Sequence, residues 1–169
     1  MAGIPLEFSR REVHVNPGST SGRIAGIDFG TVRIGIAVSD PRQTISSPYE
    51  NYTRKDPAQD ARRFQKLVLE EEIVQFVVGL PIHLDGNESA KSLEARDFGK
   101  WLEQQTGIPV DYHDERFTSV EAENQLLAVD MSRAKRKQRR DMLAAQLLLT
   151  AYLESRRDGR HPGSLDGDD

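Results

Sequence analysis

"RIAGIDFGTVRIGIAVSD", residues 23 to 40, is an apolar run that stops at an acid, turns, and resumes as a second apolar run. Its β-branched residues, and the Gly30–Thr31 pair between the halves, predict an antiparallel hairpin with strands over Arg23–Phe29 and Arg33–Ser39. A carboxylate at the end of a buried-looking strand is costly unless something neutralises it. Asp28 is therefore the first residue to be explained.

Outward from this hairpin the pattern alternates between two periods. Thr44–Thr53 reads as a third, short strand, with Pro48 confining it to a sheet edge. "DPAQDARRFQKLVLEEE" predicts a helix with Asp56 as N-cap, Pro57 in its first position and Ala61, Phe64, Leu67 and Val68 on one face. Ile73–Leu80 is a continuous apolar run of strand length, as expected of a strand buried on both faces. A second helix is expected from about Glu88 to Thr106, carrying Leu93, Phe98, Trp101 and Leu102 and closed by Gly107. "IPVDYHDER" predicts a fifth strand. Thr118 and Glu121 have the spacing of a capping box opening a short helix. Asp141–Ser155, with Leu143, Leu147, Leu149 and Leu153, predicts a last helix. The order βββαβαβ followed by helices implies an α/β fold: a mixed five-stranded sheet covered by helices on both faces.

Composition sets the outer bounds. The 169 residues suit one domain, expected over 23–155, and the patternless ends, 1–22 and 156–169, are expected to be mobile tails. Hydrophobic residues at 37% and charged residues at 30% fit a soluble globular protein. No apolar run approaches the roughly 18 residues that span a bilayer, so no membrane partner is expected, and the N-terminus lacks a secretory apolar core. The absence of cysteine excludes disulfides and thiolate metal sites and favours the cytoplasm. There is no nucleophile elbow, and "GIDFGT" is not a Walker loop.

In such sheets, chemistry collects at the carboxyl ends of strands. Asp28 falls at the end of the first strand, Glu115 at the end of the fifth and Asp141 near the start of the last helix. Each alone has an ordinary explanation, as turn chemistry or as a favourable charge at a helix N-terminus. Together they would repel one another unless a cation intervenes, and an oxygen-only ligand set favours Mg2+ or Mn2+ over zinc. His113, beside Asp114 and Glu115, reads either as a water- or metal-orienting group or as an ordinary hydrogen-bonded histidine. "VGLPIHLDGNES", residues 78–89, is a loop of the kind that presents binding groups, with a plain turn and helix cap as its simpler explanation. "MSRAKRKQRRD" holds six cations within residues 131–140, namely Arg133, Lys135, Arg136, Lys137, Arg139 and Arg140. The usual fate of a charge run is a solvated loop. Next to acids that hold a metal, it can instead clamp a polyanion.

Four stretches taken in order, "GIDFGTVRIGIAVSD", "VGLPIHLDG", "HDERFTSVEAE" and "DMLAAQLLLTAYL", resemble the YqgF/RuvX family of RNase H-like nucleases. Its members are described as Holliday junction resolvases or as nucleases of 16S rRNA precursor maturation. The resemblance runs from about Arg23 to Ser155. It implies an RNase H-like fold, with Asp28, Glu115 and Asp141 as the acidic catalytic and metal-binding positions. It also implies phosphodiester hydrolysis: one ion lowers the pKa of a bound water, and a second, about 3.5 to 4 Å away, stabilises the leaving oxygen. The expected substrate contacts are Gly30, Thr31, His83, Arg116 and the six cations before Asp141. His83 stands where the family usually has asparagine, a departure that matters because histidine can charge near neutral pH. The implied partner is a nucleic acid, either precursor rRNA or branched DNA. The chain is expected to be a monomer or a homodimer, and symmetric cutting of a junction calls for a two-fold homodimer. Two further readings stay open: an RNA-binding assembly factor with idle acids, and, from the "DFGT" turn, one half of an actin-like ATPase or sugar kinase.

Overall fold

Five strands and three long helices carry the chain through a computed structural model that describes residues 21–82, 85–117 and 132–158. The strands are β1 Arg23–Asp28, β2 Arg33–Ser39, β3 Ser46–Thr53, β4 Ile73–Leu80 and β5 Val110–Asp114. The helices are α1 Pro57–Glu71, α2 Ala90–Thr106 and α3 Arg133–Arg157. Sheet order is β3-β2-β1-β4-β5. The first three strands form an antiparallel meander, and β4 and β5 then add in parallel through helical crossovers. Pro48 lies on the edge strand as expected, beside an irregularity where Ile36 pairs with Glu50 and Ala37 with Pro48.

The alternation of side chains along the strands builds two cores. Ala25, Ile27, Ile34, Ile36, Phe76 and Val78 face α1 and α2. Ile24, Ala37 and Val77 face α3, where they meet Ala145, Leu149 and Leu153. Phe64 and Phe76 are wholly buried and meet edge to face at 6.3 Å. Burial of each is worth about 1.5 to 3 kcal/mol.

The helix ends follow local chemistry. Asp56 caps α1 by accepting the Gln59 N–H at 2.8 Å, with Pro57 next in line. Ser89 caps α2 by accepting the Ser92 N–H at 3.1 Å, and its own hydroxyl donates to the Pro81 carbonyl. Gly107, at φ 69°, closes α2 in the left-handed conformation.

Several expectations are corrected. Leu93 is 54% exposed rather than in the core, because the buried face of α2 passes through Ser92, Ala95, Phe98, Gly99 and Leu102. The fifth strand stops at Asp114, and Glu115 opens a single 3-10 turn, Glu115–Phe117. The cationic segment 133–140 is the opening of α3 and not a loop, so Asp141 is the ninth residue of that helix. The helix also runs on to Arg157, into the expected tail. Residues 1–20 and 159–169 of the expected tails, and the capping box at Thr118 and Glu121, lie outside the described residues.

Candidate active site

Asp28 is positioned by register. It is the last residue of β1 and sits directly opposite Gly35 of β2, on the face that α3 covers. Gly35 lets that helix come close: a Cβ there would stand 2.1 Å from the Asp141 carbonyl oxygen and 3.5 Å from the Asp28 Cβ. Gly26, two residues before Asp28, plays the same part further along, where a Cβ would meet that of Leu149 at 2.8 Å. Two glycines in strand interiors thus seat α3 low on the sheet and bring Asp141 beside the end of β1. After Asp28 the chain turns tightly, and a Cβ on Gly30 would lie 2.4 Å from the Arg33 carbonyl oxygen.

Glu115 reaches the same end of the sheet from β5. Its carboxylate occupies the space over Gly79, where a Cβ would lie 2.7 Å from Oε1. Gly79 pairs with His113 in the sheet. Burial, and then the neighbouring Asp114 charge, push the Glu115 carboxyl above its ordinary range.

Asp28 lines two adjoining clefts. The first, of about 350 Å³, is bounded by Asp28, Thr31, Gly79, Lys91 and Glu115. The second, of about 240 Å³, is bounded by Asp28, Gly30, Arg33, Gly35 and Asp141. Gly30 and Thr31 line both.

The acids do not form one closed cage. Among the described residues no three His, Cys, Asp or Glu side chains gather tightly enough to enclose an ion; Asp28 lines both clefts, with Glu115 on one and Asp141 on the other. The physical reason is visible at Asp141. Its Oδ2 lies 3.6 Å from the Arg33 Nε and accepts a hydrogen bond from the Asn51 Nδ2 at 3.2 Å, so this carboxylate is balanced by a guanidinium and an amide. An open pair of carboxylates still suits Mg2+ or Mn2+. Such ions keep several waters and are bound through one or two carboxylates plus substrate phosphate oxygens rather than by an all-protein cage.

The remaining predicted residues divide. Arg116 is held by Asp114, through its Nε at 2.7 Å and its backbone N–H at 2.9 Å. Arg133, Lys135 and Arg140 are exposed on α3, and Arg139 is half-buried there. Arg136 and Lys137 belong to the same helix. His83 lies outside the described residues. His113 is buried, with its ring edge-to-face on Tyr152 at 6.2 Å, and burial lowers its pKa, which favours the neutral ring. The contacts that sequence reasoning missed are Arg33, Asn51 and Lys91. They reach the site only through strand register and helix packing, and none carries a local motif; Gly35 and Gly79, glycines inside apolar strands, were the available signal.

The RuvX family model, described as Holliday junction resolvase, matches residues 22–155. A relative from Rhodopirellula baltica is 47% identical over 147 residues, covering 87% of this chain and 83% of its own. One from Koribacter versatilis is 43% identical over 140 residues, covering 83% and 92%. Both bear the name "Putative pre-16S rRNA nuclease". Among solved structures, Thermus thermophilus RuvC superposes with a TM-score of 0.52 at 15% identity, over 82% of this chain and 97% of that one. RuvC in complex with a Holliday junction substrate gives 0.51 at 16% identity, over 81% and 96%. At such identities the similarity speaks for the fold, which is the RNase H-like one. With the sequence match running from the start of β1 into the last turns of α3, the chain belongs to the RuvX family.

Proposed function

We propose that this chain is a divalent-metal-dependent endonuclease that hydrolyses phosphodiester bonds in the 5′-end maturation of precursor 16S rRNA. The family is one of nucleases, and the names of its close relatives supply the substrate. The observation that carries the reading is the placement of Asp28 between two clefts, with Glu115 across one and Asp141 across the other. Asp28 and Glu115 would hold Mg2+ or Mn2+. The ion supplies Lewis-acid stabilisation of phosphoryl oxygens and an acidified water.

The chain's own residues do the rest. Gly30 and Thr31 let a phosphate backbone approach Asp28 closely, Lys91 adds a cation to the cleft wall, and Arg33 orients Asp141 and offsets its charge. The cations opening α3 attract the polyanion and carry no base information. Burial and the Asp114 charge raise the Glu115 pKa, so its ionised form gains from any cation that settles beside it. Among the described residues no helix is long and apolar enough to cross a membrane, and the reading places the enzyme in the cytoplasm, as a monomer on RNA.

Cleavage of a precursor 16S rRNA fragment with Mg2+ or Mn2+, abolished by Asp28→Asn, is the expected result. A second reading, a resolvase acting on branched DNA, is favoured by the description of the family model. It predicts symmetric cutting of a four-way junction by a two-fold dimer. Tight RNA binding by a protein that cuts neither substrate would instead mark a non-catalytic assembly factor.

A further inference from the structure

Beside the hairpin turn, on the side of α2, lies a groove of about 400 Å³ that the cleavage chemistry does not use. Its floor is aromatic. Phe29 stacks on Phe98 at 4.8 Å, and Phe98 packs against Trp101 at 5.5 Å with the rings 32° apart. Phe98 is buried and belongs to the core, whereas Phe29 and Trp101 are only half-buried. The Arg54 guanidinium lies 5.2 Å from the Phe29 ring centre and 5.9 Å from that of Phe98. This groove is continuous with the catalytic clefts: Phe29, Thr31 and Glu94 line both it and the cleft that holds Asp28 and Glu115.

The charges around the groove select its occupant. Glu94 and Asp97 are exposed on its rim and repel phosphate. Arg54, the cation in the groove wall, is shared with Asp60 at 3.5 Å. A groove walled by the half-buried rings of Phe29 and Trp101 and edged by carboxylate acceptors and a guanidinium plane suits a nucleobase, which offers a π face and amino or imino donors on its edge. We propose that this groove is a base-stacking subsite, which takes one unstacked base of a single-stranded nucleic acid whose neighbouring phosphodiester lies at Asp28. The proposal rests on the phosphodiester-cleaving reading of the adjoining clefts. It adds that the substrate is single-stranded at the cut, because a paired base cannot enter.

Trp101 is the one tryptophan of the chain and so reports on the groove directly. The test uses the full-length chain carrying Asp28→Asn, titrated with an oligoribonucleotide of roughly ten residues and with an oligomer of the same length that is abasic throughout. The base-bearing oligomer should quench Trp101 emission and bind about tenfold more tightly than the abasic one. Trp101→Leu, a change confined to this groove, should shrink that advantage while leaving abasic binding unchanged, both read by the anisotropy of a labelled oligomer. Equal binding of the two oligomers with no quenching overturns the subsite. So does Trp101 emission that shifts with protein concentration in the absence of oligomer, which assigns the groove to a second copy of the chain. Cleavage of precursor rRNA by the wild-type chain is scored separately. Cutting without base-dependent quenching removes the subsite alone, base-dependent quenching without cutting removes the nuclease reading alone, and neither removes both.

Discussion

The Glu115 carboxylate sits in a space that exists because residue 79 is glycine. Gly79→Ala would place a methyl group 2.7 Å from Oε1. The side chain can swing away while the strand stays, so the fold should persist and cleavage should fall on the order of 100-fold, the usual cost of an ångström of misplacement. Steady-state kinetics with a thermal melt separates the two effects. Glu115 also ties stability to pH. Burial and Asp114 raise its pKa in the folded state above the ordinary 4.5, so the folded protein binds the proton more tightly than the unfolded chain does. Its contribution is then lost as pH rises from 4.5 through the folded value, and above that the ionised group destabilises the fold. Glu115→Gln should therefore melt higher than wild type at pH 7, with the difference fading below pH 4.5. Millimolar Mn2+ should raise the wild-type melting temperature more than that of the variant, since the ion relieves what the substitution has already removed. Equal shifts would take Glu115 out of the metal site.

Among the elements, α3 decides whether the site assembles. It crosses the sheet over Gly26 and Gly35, and Gly35→Ala would drive a Cβ to 2.1 Å from a backbone oxygen that cannot rotate away. Overpacking of this kind costs about 1 to 3 kcal/mol, or a few degrees of melting temperature, and should displace Asp141 from Arg33 and Asn51. An unchanged melting temperature in calorimetry would show that the contact is softer than its geometry implies. Strands and helices were legible wherever burial imposes a period. The apolar run Ile73–Leu80 and the capped start of α1 at Asp56 have the extents that their composition predicts. The opening of α3 was not legible, because a reading that follows apolar periodicity passes over a run of Arg, Lys, Ala and Gln, which are good helix formers without an apolar stripe. The acids were legible as residue types at strand ends. Their partners Arg33 and Asn51 were not, since the register that brings β2 and β3 to Asp141 is written in long-range pairing.

For the whole molecule, charge is unevenly spread. The net charge is -4, yet cations crowd the first turns of α3, and those in the first turn, Arg133, Lys135 and Arg136, stand where the helix dipole is positive and disfavours them. A polyanion offsets that cost. Arg133, Lys135 and Arg140 are exposed there, and changing all three to Gln should flatten the salt dependence of binding to single-stranded RNA by about 2 in log–log slope, near 0.7 per phosphate contact. Binding should weaken for all sequences alike, with the melting response to Mn2+ retained. An unchanged slope would reduce the run to a solvated helix end and move the substrate path toward Lys91. Asp28 lines both clefts, and the proposed metal-dependent cleavage stands or falls with it. The most direct measurement is cleavage of a precursor 16S rRNA fragment by purified wild-type and Asp28→Asn proteins, with Mn2+ and with chelator. Wild type with metal should give discrete 5′-phosphate products, and the variant or the chelated enzyme none. Equal cleavage by both proteins, or no cleavage by wild type, would contradict it.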